Sequence, residues 1–175
     1  MAELRTEDQR SDSGRDAESL IDLQRRVTHE HITSETEKRW RDTYSTFSQT
    51  EHAALDAMGI GARFAGIDAV KSFYEVFHAA FPDFTVTTLR EYDMPGTSIR
   101  EVMIRGTHRG EYCGQAATGR RVAIPLIGLF LFGSGENAGQ LMVERVYWDN
   151  STVLSQLRGE SDPADVLDVS KLRDR

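Results

Sequence analysis

The sequence predicts an α+β domain: three N-terminal helices packed on one face of a long, curved antiparallel sheet. Three observations predict it. Apolar residues recur at helical spacing up to Phe81, and from Phe84 onward the pattern changes to long strands broken by tight turns. Helices come before strands instead of alternating with them, which separates α+β from α/β. At 175 residues the chain is long enough to bury one sizeable core and short for two.

Residues 1–17 set Glu3, Glu7, Asp8, Asp12 and Asp16 against Arg5, Arg10 and Arg15, with almost nothing apolar, and read as a disordered tail. The domain is expected over 18–158. A second tail is expected over 159–175, where Val166, Leu167, Val169 and Leu172 have the spacing of a short amphipathic helix. Leu20, Leu23 and Val27 follow one helical phase, and Trp40, Tyr44 and Phe47 another. Two helices therefore break near Arg39–Asp42, with Asp42 as N-cap. Ala53–Met58 reads as a short strand, and Gly59 and Gly61 as the loop after it. Asp68 can cap the next helix, whose Val70, Phe73, Tyr74, Phe77 and Phe81 share a face. Pro82 stops it.

Strands are expected at Phe84–Met94, Ser98–Cys113, Val122–Phe132 and Gln140–Asp149. The breaks at Pro95-Gly96, Gly114–Gly119 and Gly133–Gly139 are short, so neighbouring strands run antiparallel. Asn150 or Ser151 can cap a last helix containing Val153, Leu154 and Leu157. A curved sheet under three helices can enclose an apolar pocket.

Composition excludes several functions. The balance of 21 Lys+Arg against 28 Asp+Glu, a net charge of −7, leaves no basic footprint for nucleic acid or an anionic membrane. Arg25-Arg26 and Arg120-Arg121 are too few to make one. A single cysteine, Cys113, excludes an internal disulfide framework and a four-cysteine zinc site, and is expected to be buried or half-buried. Ala123–Phe132, the longest apolar run, is short of the ~20 residues that span a bilayer. The charged N-terminus lacks an apolar signal segment, so the expected compartment is the cytoplasm. The glycine-rich 133–139 segment joins two strands and opens no helix, so it is a hairpin loop and not a phosphate site. No Gly-x-Ser-x-Gly elbow is present.

Five short motifs, in order over about residues 20–158, carry a family resemblance. They are Ala80-Phe81-Pro82-Asp83, Gly106-Thr107-His108-Arg109-Gly110, Ala117-Thr118-Gly119-Arg120-Arg121-Val122, Glu144-Arg145-Val146-Tyr147-Trp148-Asp149 and Val153-Leu154-Ser155-Gln156-Leu157. In these the chain resembles the SnoaL-like polyketide cyclases of the NTF2-like superfamily. The resemblance implies a cone with a pocket between sheet and helices, and a homodimer formed through the sheet. It also implies ring closure by aldol chemistry, in which a carboxylate removes a proton next to a carbonyl without metal or cofactor. The family's acid/base aspartate on the last strand aligns without gaps on Val146, and a histidine of the preceding strand on Gly128. Unless a gap or bulge shifts the register, both departures count against that mechanism here.

Strand parity puts Glu144, Val146 and Trp148 on one face, the pocket face if Val146 holds the family position. Desolvation in an apolar pocket raises a carboxyl's pKa towards neutral, which makes Glu144 the first candidate acid or base. The alternative is an ion pair with Arg120, Arg121 or Arg145. His108, between glycines, could assist as a proton shuttle or be a structural histidine at a bend. His31 and Glu35 are spaced i, i+4 on one helical face and could orient the substrate or its water, or form a solvated pair. A metal would need a third ligand such as Glu101, His108 or Glu144, and none is expected. Trp40, Tyr44, Tyr74, Phe77, Tyr112 and Trp148 are candidate substrate-binding residues. Asp149 is expected to cap the last helix.

The expected activity is cofactor-free acid–base chemistry on a small, mostly apolar, polyketide-like metabolite: cyclisation, isomerisation or hydration. Two alternatives stand beside it. One is a ligand-binding protein without catalysis, which would lack titratable groups in its pocket. The other is epoxide-hydrolase-like water addition, for which Asp149, an arginine such as Arg105 and a second acid would have to converge.

Overall fold

The computed structural model describes the backbone of residues 7–167 and the side chains of residues 19–167. The chain runs α1 (Glu7–Thr36), α2 (Trp40–Ser45), β1 (Ala54–Ala57), β2 (Ala62–Ala65), α3 (Ile67–Ala80), β3 (Thr85–Met94), β4 (Thr97–Thr107), β5 (Arg121–Phe132), β6 (Leu141–Trp148) and α4 (Asn150–Arg158). Helix α1 begins inside the segment that composition reads as a tail. Val169 and Leu172 of the expected C-terminal helix lie outside the described residues; Pro163–Asp165 form a single 3-10 turn. No helix among the described residues is long and apolar enough to cross a membrane.

The six strands form one open sheet in the order β2-β1-β6-β5-β4-β3. The long strands pair antiparallel as expected. The expectation of a wholly antiparallel sheet is corrected at one place, where β1 lies parallel to β6, Leu55 opposite Glu144. Strand β2, an antiparallel partner of β1, stands where a loop was expected. The Pro95-Gly96 turn joins β3 to β4, with Gly96 at φ 81°, a conformation that costs glycine little. Pro125 lies beyond the end of the β5–β6 ladder, where β5 has one neighbour and a missing N–H is tolerated.

Several local expectations move by a few residues. Gly66, not Asp68, is the N-cap of α3, and Asp68 sits in its first turn, where a negative charge meets the helix dipole. Arg39, not Asp42, occupies the N-cap of α2, and the two side chains pair. Strand β4 ends at Thr107, well before Cys113, because Asp83 captures the chain there: its carboxylate accepts the Thr107 N–H (2.6 Å) and hydroxyl (2.7 Å). Cys113 is exposed, not buried, in the loop that follows.

Helix α1 shows the largest difference. Of the Leu20, Leu23, Val27 stripe, Val27 packs half-buried against the core, Leu20 is half-buried and Leu23 is exposed. Among the described side chains of α1 the buried ones are Gln24, Thr28, His31, Ile32, Ser34 and Glu35, all polar but one. Gln24 bridges two hairpin ends, donating to the Ala138 carbonyl (2.8 Å) and accepting from the Gly96 N–H (2.9 Å). These bonds fix the helix over the sheet and set His31 and Glu35 above β6.

The core has two lobes. One gathers Phe47, Leu55, Val70, Phe130, Leu141 and Val146 around α1 and α3. The other gathers Phe81, Phe84, Ile124, Val122, Val153 and Leu157 around α4. Burying each of these side chains contributes about 1.5–3 kcal/mol. Val86, Leu126, Trp40 and Trp148 touch both lobes. A cavity lies where they meet.

Candidate active site

The cavity has a volume of about 60 Å³. The sheet contributes Val102, Ile104, Leu126, Gly128, Phe130, Val146 and Trp148, and α3 contributes Phe73, Tyr74 and Phe77. Two carboxyl groups enter this apolar wall, Glu35 from α1 and Glu144 from β6. The parity argument therefore holds: Glu144, Val146 and Trp148 share the cavity face. Gly128 and Val146 sit directly opposite each other on β5 and β6. Gly59 lets the Trp148 indole lie against its backbone, since an added Cβ would fall 2.3 Å from Cε2.

Glu144 is not paired with arginine. Arg145 turns to the other face and bonds Asp56 (2.9 Å). The Glu144 carboxylate instead accepts the Tyr74 hydroxyl at 2.6 Å, and His31 Nε2 stands 3.6 Å away. Only 5% of Glu144 is exposed, and none of His31. The His31 ring is wedged edge-on between Phe47 (5.4 Å) and Phe130 (5.5 Å).

Hydrogen-bond accounting fixes the charge on His31. The Thr46 hydroxyl donates to the Thr43 carbonyl (2.7 Å), so its oxygen is left to accept from His31 Nδ1 (2.8 Å). The Tyr74 hydroxyl donates to Glu144, so its oxygen accepts from Nε2 (3.0 Å). Both ring nitrogens then carry protons, and the ring is an imidazolium facing a carboxylate. The balance of forces agrees. Burial pulls the His31 pKa down, but the charges of Glu144 and Glu35 and the bonds to the ring outweigh it, and the net direction is up. Tyr74, buried beside two carboxylates, is pushed well above the usual phenol range. The chain His31–Tyr74–Glu144 can relay protons: shifting one along each bond leaves a neutral imidazole and a carboxylic acid.

Burial, then the charge of Glu144, pushes Glu35 up to about 7, against the pull of His31 and Lys38. Lys38, at the end of α1, donates to the Phe84 carbonyl (2.7 Å), and burial brings it down to about 8. His31 and Glu35 are therefore a buried pair facing the sheet, not a solvated one. Among the described residues no group of His, Cys, Asp or Glu is arranged to hold a metal ion.

Other candidates lie elsewhere. His108 is buried in the second lobe, where Nδ1 bonds Thr118 (3.1 Å) and the ring packs on Phe81; it does not line the cavity. Backbone bonds clasp it to Arg120 and Gly119, and Gly110 beside it lets the chain pass close to Ala79, where an added Cβ would fall 2.3 Å from the carbonyl oxygen. Tyr112 donates to Asn150 (2.7 Å), also in that lobe. Trp40 and Tyr44 stack on each other behind Tyr74 and do not reach the cavity. Asp149 caps α4 through Ser151 and Thr152, which hold its carboxyl down at about 2. Neither Asp149 nor Arg105 lines the cavity. Thr46 and Gln24 were not singled out from sequence. The readable signal was polar residues at 24, 28, 31 and 35, which share one helical face.

A family model for SnoaL-like polyketide cyclases matches residues 30–157. The chain belongs to that family. Solved structures share this SnoaL-like, NTF2-like fold at low identity. A candidate SnoaL-like cyclase from Jannaschia sp. CCS1 has 16% identity and a TM-score of 0.70, the match covering 89% of this chain and 97% of that one. AclR from Streptomyces galilaeus, described as a candidate hydroxylase, has 18% identity and a TM-score of 0.66, covering 81% and 99%. IdmH from Streptomyces antibioticus, described as a candidate polyketide cyclase, has 18% identity and a TM-score of 0.62, covering 75% and 96%. No curated protein matches the chain. The carboxylate that enters the cavity from β6 is that of Glu144, two residues before Val146.

Proposed function

We propose that this SnoaL-like protein is an acid–base enzyme that removes a proton next to a carbonyl group of a small, mostly apolar, polyketide-like molecule, with Glu144 as base. Ring closure and double-bond migration both begin with this step. The observation that carries the reading is a carboxylate on an otherwise apolar cavity wall, backed by a hydroxyl and an imidazolium. As Glu144 takes the carbon-bound proton, Tyr74 and His31 hold its carboxyl group in place. Apolar walls strengthen each of these interactions by excluding water. A pure binder has no use for two buried carboxyl groups, which cost stability unless a ligand or a reaction repays it.

At about 60 Å³ the cavity is well below the ~300–1,000 Å³ of typical ligand sites. A polyketide-sized ligand enters by displacing the partly exposed walls Phe73, Phe77, Leu126 and Trp148. The family's homodimer is part of the proposal. Tyr92, Ile127 and Tyr147 are exposed on the outer sheet face, and sedimentation at two concentrations tests for it.

Cyclopentanone, which asks far less displacement of the cavity walls than a polyketide does, tests the reaction. Exchange of its α-protons in D₂O, followed by NMR, should exceed the buffer rate with the wild-type protein. In Glu144→Gln, which keeps volume and removes the base, it should fall about 10²-fold or more. Equal rates in the two proteins would remove Glu144 from the mechanism.

A further inference from the structure

Glu144 accepts the Tyr74 hydroxyl, but Glu35 has no hydrogen bond or ion pair from its carboxyl to any described residue, although only 9% of it is exposed. The Glu35 carboxyl lines the cavity, so a group that enters beside it can supply the hydrogen bond that the protein does not. It lines the same cavity from the opposite side, α1 against β6. A carbonyl oxygen arriving there meets few donors. The Tyr74 proton is committed to Glu144, and the Trp148 indole N–H points at Asn150 (3.4 Å).

We propose that Glu35 is the proton donor of this cavity, handing its proton to the carbonyl oxygen while Glu144 takes the carbon-bound one. The inference rests on the reading of Glu144 as base. The step balances. The Cα–H bond breaks and its proton goes to Glu144. The freed electron pair forms the carbon–carbon double bond, and the carbonyl π pair takes the Glu35 proton as O–H. An enol results, Glu35 becomes the carboxylate and Glu144 the acid, and the charge of the pair is unchanged. Attack of the enol on a second carbonyl forms the new carbon–carbon bond. The enol proton then returns to Glu35, and the Glu144 proton goes to the new alkoxide.

The surroundings keep the donor loaded. The charged or titratable groups facing Glu35 are Glu144 from β6, Tyr74 from α3, His31 one turn earlier on α1, and Lys38 at its end. Burial and the Glu144 charge dominate this set, so the carboxyl keeps its proton to about pH 7. A neutral acid beside an ionised one is the division of labour that enolisation asks for.

The test is cyclopentanone α-proton exchange from pH 5 to 9 in wild type, Glu35→Gln and Glu144→Gln, with thermal melts to check folding. Wild type should lose rate as pH rises through about 7, the point to which Glu35 is pushed. Glu35→Gln should be about 10²-fold slower at pH 6 and should lack that falling limb. If Glu35→Gln keeps both the rate and the limb while Glu144→Gln is inactive, the donor assignment falls and Glu144 stands. If wild type itself does not exceed buffer, both fall. Carbon-13 NMR of labelled glutamate carboxyls needs no variant that must fold for the test to count: a Glu35 already ionised at pH 6 overturns the proposal.

Discussion

His31 and His108 are both fully buried, and they have opposite electrostatics. His31 has protein partners on both nitrogens, two carboxyl groups nearby and a raised pKa. His108 has Thr118 on Nδ1, a buried Nε2 with no partner and a pKa lowered chiefly by burial. Thr118 donates its N–H to Nδ1 (3.3 Å), so the His108 ring is neutral. The first ring belongs to the cavity lobe and the second braces a loop against the other lobe. Burial makes either kind of histidine; compensating charge within reach keeps one of them protonated.

The strongest way to break this contrast is to make the same substitution at both sites. His31→Leu leaves Glu144 buried without its cation and should cost about 3–5 kcal/mol at pH 7. His108→Leu removes one neutral interaction beside exposed Thr118 and should cost about 1 kcal/mol. His108→Leu should also leave cyclopentanone exchange within about 3-fold of wild type. Urea unfolding of both variants reads the difference, and equal costs would erase it.

The next effect is a pH dependence. Glu35 is raised from 4.5 to about 7 on folding, so the folded state binds its proton more tightly. The stability this contributes is full below pH 4.5 and is lost as pH rises through 7, up to about 3 kcal/mol. Glu35→Gln should flatten that slope between pH 5 and 8 in thermal melts, and an unchanged slope would assign it elsewhere. His31, also raised, adds stability in the same sense, lost as pH climbs through its folded value.

Tyr74→Phe should cost about 1–3 kcal/mol, since it leaves His31 Nε2 and one Glu144 oxygen short of a partner. The smallest effect is expected of Thr118→Val, about 1 kcal/mol or less, with cavity chemistry untouched. A large loss of exchange in that variant would link the two lobes and sharpen the comparison into a coupling.

Much of the site was legible before the structure. Glu144 and Trp148 were placed by strand parity, and Tyr74 and Phe77 by the apolar face of α3, because both patterns are local. His108 was misplaced because flanking glycines signal a special backbone, not the direction in which a ring points. Trp40, Tyr44 and Tyr112 are candidate substrate-binding residues by sequence but lie away from the cavity, because aromatic residues signal burial and burial does not name the neighbour. Thr46 and Gln24 went unnoticed because their importance lies in partners far along the chain: Gln24 bonds residues 96 and 138.

Local periodicity settled the order of helices and strands, the turn at Pro95-Gly96 and the inward face of β6, since each depends on backbone geometry within a few residues. The parallel docking of β1 on β6, the anchoring of α1 through Gln24 and the meeting of His31, Tyr74 and Glu144 depend on contacts between residues 43 to 114 positions apart. Such contacts leave no periodic trace; they come into being only when α1, α3 and β6 pack together and water is excluded from between them.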